Sequence, residues 1–129
     1  MAKTAKPVWH QIEKVTTKAE TAAEAEVSIP ADSLWFDGHF PGMPLLPGIA
    51  QLAMVEQVIA RAWPHQRRAG QFSRVRFKLK IDPGMPVTVA VARKKDKPDL
   101  FGFQIITEEG VACVGNVLAR PLQHEVARR

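Results

Sequence analysis

Between Pro47 and Pro64 the sequence runs from Gly48 to Trp63 as an almost wholly apolar stretch, and this limits the possible folds more than any other feature. Ile49, Leu52, Ala53, Val55, Ile59, Ala60 and Trp63 recur at three- and four-residue steps, while Met54, Val58 and Ala62 widen the stripe nearly all round. Pro47 suits a helix start, where a missing N–H costs nothing, and Pro64 ends the helix. A helix this apolar is expected to be buried on most sides, so the rest of the chain must wrap it.

The remaining segments read as strands. Ala23, Ala25, Val27 and Ile29 alternate with Glu24, Glu26 and Ser28, which is strand periodicity, although Ala-Glu repeats also suit a helix. Val8 to Val15 is a looser extended segment. Gln71 to Ile81 alternates strictly, with Val75, Phe77, Leu79 and Ile81 on one side and Arg74, Arg76, Lys78 and Lys80 on the other. Asp82-Pro83-Gly84 reads as a turn, and Val87, Val89 and Val91 as the next strand. A polar loop from Lys94 to Asp99 leads to Leu100–Thr107, with Phe101, Phe103 and Ile105 on one face. Glu108-Glu109-Gly110 reads as a hairpin turn before a last strand from Val111 to Ala119. The pattern predicts an α+β domain in which a curved antiparallel sheet wraps one long central helix. It is expected to be a single domain over residues 1–129, with its core at about 8–120 and a polar tail over 121–129. One small sheet leaves edges and apolar surface uncovered, so a homodimer is expected.

With 46% hydrophobic and 24% charged residues, the 129-residue chain has an ordinary globular composition. No apolar run is long enough to cross a membrane, and the basic stretch Met1 to Trp9 lacks the apolar core of a secretory signal. Cys113 is the sole cysteine, placed mid-strand as a small buried hydrophobe, and the four histidines show no metal-ligand spacing. A cytoplasmic protein without metal or cofactor is expected. Charge is uneven: residues 1–60 hold four lysines against seven carboxylates, while residues 61–129 hold fourteen basic against six acidic residues. An uneven basic half fits a nucleic acid, an anionic membrane or an acidic protein partner, but charge alone favours a solvated face.

Residues 35–48 read W-F-D-G-H-F-P-G-M-P-L-L-P-G and run straight into the helix. Prolines forbid a long regular element here, so the apolar side chains belong to a loop packed against something, and such loops often line sites. His39, set between Gly38 and Phe40-Pro41, is suited to act as a neutral base. Gly48 falls at the helix N-terminus, where free N–H groups and the helix dipole favour negative charge. A base beside an anion-stabilising amide is what proton abstraction next to a carbonyl requires. A lone histidine that merely braces the loop is the competing explanation.

The pattern G-H-F-P-x-x-P-x-x-P-G before a buried helix resembles the hotdog-fold 3-hydroxyacyl-[acyl-carrier-protein] dehydratases of fatty acid synthesis. R-F-K-L-K-I-D-P-G at Arg76 to Gly84 and the strand from Cys113 to Arg120 extend the resemblance over roughly Val8 to Arg120. The wording G-I-A-Q-L at Gly48 to Leu52 is closer to the branch associated with aryl-polyene-type lipids. The resemblance implies a dimer with a tunnel at the subunit interface. It makes His39 the base and the Gly48 amide the group that polarises the thioester carbonyl, with Gln57 and Phe40 also binding substrate. Trp35 and Phe36 either roof that tunnel or pack the core.

The family places an acid fourteen residues after the histidine, and that position is Ala53 here. Glu56 is the nearest replacement, three residues on, and interrupts an apolar helix; it is either a catalytic acid or paired with Arg61 or another cation. A water held by Gln51 or Gln57 is a second possibility, and a site that only binds acyl chains is a third. The resemblance also implies an acidic acyl carrier protein as partner, and Arg74, Arg76, Lys78 and Lys80 form the face expected to meet it. Nucleic acid is disfavoured because no aromatic residue interleaves with those charges. Three functions are therefore carried forward: a dehydratase, a non-catalytic acyl-binding subunit of a homo- or heterodimer, and a hotdog thioesterase.

Overall fold

A computed structural model describes residues 10–18, 21–30, 46–64, 67–82 and 84–121. In chain order these form β1 (Gln11–Lys18), β2 (Ala22–Ser28), α1 (Gly48–Ala62), β3 (Arg67–Phe77), β4 (Val87–Arg93), β5 (Leu100–Thr107) and β6 (Gly110–Pro121). The six strands make one antiparallel sheet in the order β1-β2-β4-β5-β6-β3. The fold is α+β, with one helix packed on one sheet among the described residues. Among the described residues no helix is long and apolar enough to cross a membrane.

Alternation builds the inner face of the sheet. Ala23, Val91 and Phe103 lie in register across β2, β4 and β5, and all three are buried. The Ala-Glu repeat is therefore a strand, because every second residue finds a core behind it. Met54, Val55, Val58 and Ile59 of α1 are fully buried against this face. Trp63 closes the far end, its ring 5.3 Å from that of Phe101. Arg67 covers Phe101 from outside at 5.1 Å and pairs with Asp99 at 3.2 Å.

Burial of α1 is one-sided, not nearly complete as its composition suggests. Ile49 is 72% exposed, and Glu56, Gln57, Ala60 and Arg61 are exposed with it. Within one chain the sheet covers a single face of the helix, and small alanines on the opposite flank had widened the apparent stripe.

The strict alternation expected over residues 71–81 is also broken. The β3–β6 register shifts between Ala69 and Phe72 and again between Ser73 and Arg76, where two residues of β3, Arg74 and Val75, lie opposite one of β6, Gly115. Each bulge inserts a residue and resets which side chains face inward. Arg74 sits in the second bulge with φ 52. The strand ends at Phe77, and the amides of Lys78 and Leu79 both turn to the Ala112 carbonyl, at 2.7 and 3.2 Å. The four basic residues are thus two in a bulged strand and two beyond its end, not one straight ladder.

Candidate active site

Two bonds fix the entry to α1. The Leu46 amide donates to the Ile81 carbonyl at 2.9 Å, tying the segment before the helix to the chain leaving β3. Gln51 Nε2 donates back to the Leu46 carbonyl at 3.4 Å. Pro47 is the N-cap in extended conformation, and its carbonyl accepts from the amides of Ala50 and Gln51 at 3.1 and 3.2 Å. No side chain among the described residues caps this end, and no acidic residue lies in the first turn. Among the described residues the Gly48 and Ile49 amides have no acceptor. The helix N-terminus therefore offers donors and positive dipole to whatever stands before it. Gly48 also has a steric reason: a Cβ there would lie 2.7 Å from Phe77 Cζ.

Ala53 is half-buried on the flank away from the core. Glu56, about 60° further round the helix at 100° per residue, is exposed. It forms no ion pair among the described residues; Arg61 instead donates to the Ile12 carbonyl at 3.4 Å. Glu56 therefore does not interrupt a buried face, and the pairing with Arg61 is not what the structure holds. Gln57, one turn beyond Ala53, accepts from His10 Nε2 at 2.9 Å through Oε1. Partial burial holds the His10 imidazole below its ordinary pKa of 6.5, and the Gln57 bond partly offsets this. Sequence reading attached nothing to His10: its partner is 47 residues away, and only the placement of β1 beside α1 joins them.

The two glutamines weighed as water holders differ in setting. Gln57 is exposed and engaged by His10, whereas Gln51 is 3% exposed and its Oε1 has no hydrogen-bond partner among the described residues. Helical geometry sets Gln51 among the core-facing residues, about 160° from Ala53. Trp35, Phe36, His39 and Phe40 lie outside the described residues. Among the described residues no group of His, Cys, Asp and Glu could hold a metal. Lys80 lies 3.7 Å from Asp82, and Arg76 pairs in register with Val114. Cys113 is buried, and desolvation raises its thiol to about 11.

A curved antiparallel sheet over one helix, with the helix N-terminus uncapped behind a G-H-F-P segment, defines a hotdog protein of dehydratase type. The family model described as "ApeI-like: ApeI dehydratase" matches residues 14–116, and the chain belongs to this family. It is 27% identical over 117 residues to a 3-hydroxyacyl-[acyl-carrier-protein] dehydratase FabZ of Clostridium perfringens, covering 83% of this chain and 84% of that protein. A FabZ dehydratase of a Polaromonas strain is 27% identical over 96 residues, covering 65% and 66%. Among solved structures, the dehydratase heterocomplex ApeI:P from Xenorhabdus doucetiae superposes with a TM-score of 0.73 at 23% identity, covering 90% of this chain and 99% of that one. This establishes the hotdog fold for the chain.

Proposed function

We propose that the chain is a cytoplasmic dehydratase that converts a 3-hydroxyacyl carrier thioester into the trans-2-enoyl thioester and water, in fatty acid or specialised lipid synthesis. The observation that carries this reading is the open start of α1, where, among the described residues, the Gly48 amide has no capping side chain and the first turn holds no acid. His39 removes the C2 proton, and the electron pair moves toward the thioester carbonyl. The Gly48 N–H stabilises the charge gathering on that oxygen. As the C2–C3 double bond forms, the C3–O bond breaks and the hydroxyl leaves with a proton as water. Ala53 supplies no such proton. Glu56 shares its flank of the helix and is the residue of this flank suited to deliver it. Gln57 and Phe40 complete substrate binding. Arg76, Lys78 and Lys80, with Arg74, give the basic surface that receives an acidic carrier protein.

A second reading rests on Ala53: the chain is the non-catalytic half of a heterodimer. The ApeI:P neighbour is a dehydratase heterocomplex, which supports a second, different subunit as partner. One assay separates the readings. The purified protein is incubated with a 3-hydroxyacyl carrier thioester while enoyl product and free thiol are followed together. Enoyl formation that falls by about 10²–10⁴-fold in His39→Ala supports the dehydratase. Thiol release without enoyl product supports a thioesterase. Carrier binding without either supports the non-catalytic subunit. For the acid, Glu56→Gln is expected to lower the rate and Ala53→Glu to raise it.

A further inference from the structure

The outer face of the sheet, opposite α1, carries a groove of about 770 Å³ that the dehydration chemistry does not use. One line of paired residues crosses it: Lys18 of β1, Ala22 of β2, Ala92 of β4, Gly102 of β5 and Asn116 of β6. These side chains alternate with the buried Ala23, Val91 and Phe103, so they face away from the core. Small residues make the floor. Lysine and arginine make the rim: Lys18, Arg93, Lys94 and Lys95 at one end, Arg74 toward the other.

Three features make this more than a solvated surface. None of these five cations forms an ion pair among the described residues, and Glu24 is the single carboxylate in the lining. Lys94 is exposed, but the end of its side chain lies against the floor: Cε and Nζ are 3.1 and 3.3 Å from where a Gly102 Cβ would stand, and Asn116 Oδ1 is 3.9 Å from the same point. Arg74 is held at φ 52 by the β3 bulge, a conformation that non-glycine residues seldom adopt.

We propose that this groove binds an elongated organic phosphate, with its phosphates held by Lys18, Lys94 and Lys95 and its body laid over Ala22, Ala92 and Gly102 toward Arg74. β1 and the end of β4 are two strand spacings apart, about 10 Å, so Lys18, Lys94 and Lys95 crowd a short span. A single carboxylate would leave most of that charge unmatched, whereas a di- or polyphosphate matches it. The volume falls within the range of about 300–1,000 Å³ typical of small-molecule sites. Nucleic acid fits poorly, because the aromatic ring in the lining, Phe103, is 2% exposed and offers no stacking surface. The site is independent of the dehydratase reading.

Calorimetry on the purified protein in about 0.1 M salt, with adenosine diphosphate, pyrophosphate and adenosine as probes, tests the proposal. Adenosine diphosphate and pyrophosphate are expected to bind, and adenosine is not. Tighter binding of the nucleotide than of pyrophosphate identifies the body as a contributor, and equal binding identifies the phosphates alone; both support a phosphate site. Lys94→Glu combined with Lys95→Glu is expected to weaken binding by about tenfold or more. Gly102→Ala pushes the Lys94 ammonium off the floor and is expected to weaken binding while circular dichroism and Tm stay unchanged. Silence of both phosphate probes at millimolar concentration overturns the proposal, as does binding that neither variant alters. Capture of an apo carrier protein that is lost in the charge-reversed variant, with both phosphate probes silent, also overturns it in favour of a protein-docking face.

Discussion

A Cβ added to Gly115 would lie 2.7 Å from Phe103 Cζ and 3.1 Å from Val75 Cγ2. Phe103 is buried and set edge-on to Phe72 at 5.8 Å, so its ring has little room to retreat. Gly115→Ala is therefore expected to lose about 1–3 kcal/mol, seen as a lower urea midpoint at unchanged slope. His10 links a single residue to pH. Its folded pKa is held below 6.5, so the unfolded chain takes up the proton first as the solution is acidified. The stability this contributes is present above pH 6.5 and is lost as pH falls through the lowered folded value. Thermal melts across this range are expected to show a drop in Tm that His10→Gln reduces. Cys113 shows the opposite displacement: burial raises its thiol to about 11, so alkylation at neutral pH is expected to be slow in the native protein and rapid in urea.

At the level of elements, α1 has two faces with different consequences. Ile59 is fully buried, and Ile59→Ala is expected to cost about 2–5 kcal/mol. Glu56 is exposed, and Glu56→Gln is expected to change stability by less than about 0.5 kcal/mol, so a slower reaction in that variant reports on chemistry and not on folding. The bounds of α1 and the alternation of β2, β4 and β5 were legible in the sequence because they depend on neighbours along one chain. The β3 bulges were not, because a bulge is a mismatch between two strands, and β6 lies more than thirty residues further on. The basic side chains of β3 looked like a ladder for that reason. The candidate site divides in the same way. Gly48 follows from Pro47 and the onset of helical spacing, whereas the His10–Gln57 bond needs the placement of β1. Arg74 itself gives a test of the bulge: Arg74→Gly removes the strain of positive φ and is expected to stabilise the fold by up to about 1 kcal/mol, less whatever the arginine contributes on the outer face.

The whole molecule leaves one side unfinished. β3 is an edge strand of eleven residues, so one row of its amides and carbonyls has no partner in the sheet. Beside it stand the large exposed apolar side chains among the described residues: Ile49 at 72%, Phe77 at 52% and Leu79 at 36%. Open backbone along an edge, flanked by apolar side chains, is what a second strand covers, and an identical chain brings the same edge and the same side chains about a two-fold axis. Such pairing would also cover the uncapped start of α1, because Phe77 abuts Gly48. With the proposed dehydratase, such pairing would couple assembly to catalysis, because a site built at the start of α1 would lose water only with the partner in place. Light scattering is expected to show a dimer for the native chain. Ile49→Glu puts a charge into the covered face while sacrificing no packing within the chain, and it is expected to shift the protein toward monomer with an unchanged circular dichroism spectrum. Enoyl formation should fall in step with the dimer fraction. A native chain that scatters as a monomer, or an Ile49→Glu variant that stays dimeric, would place the interface elsewhere.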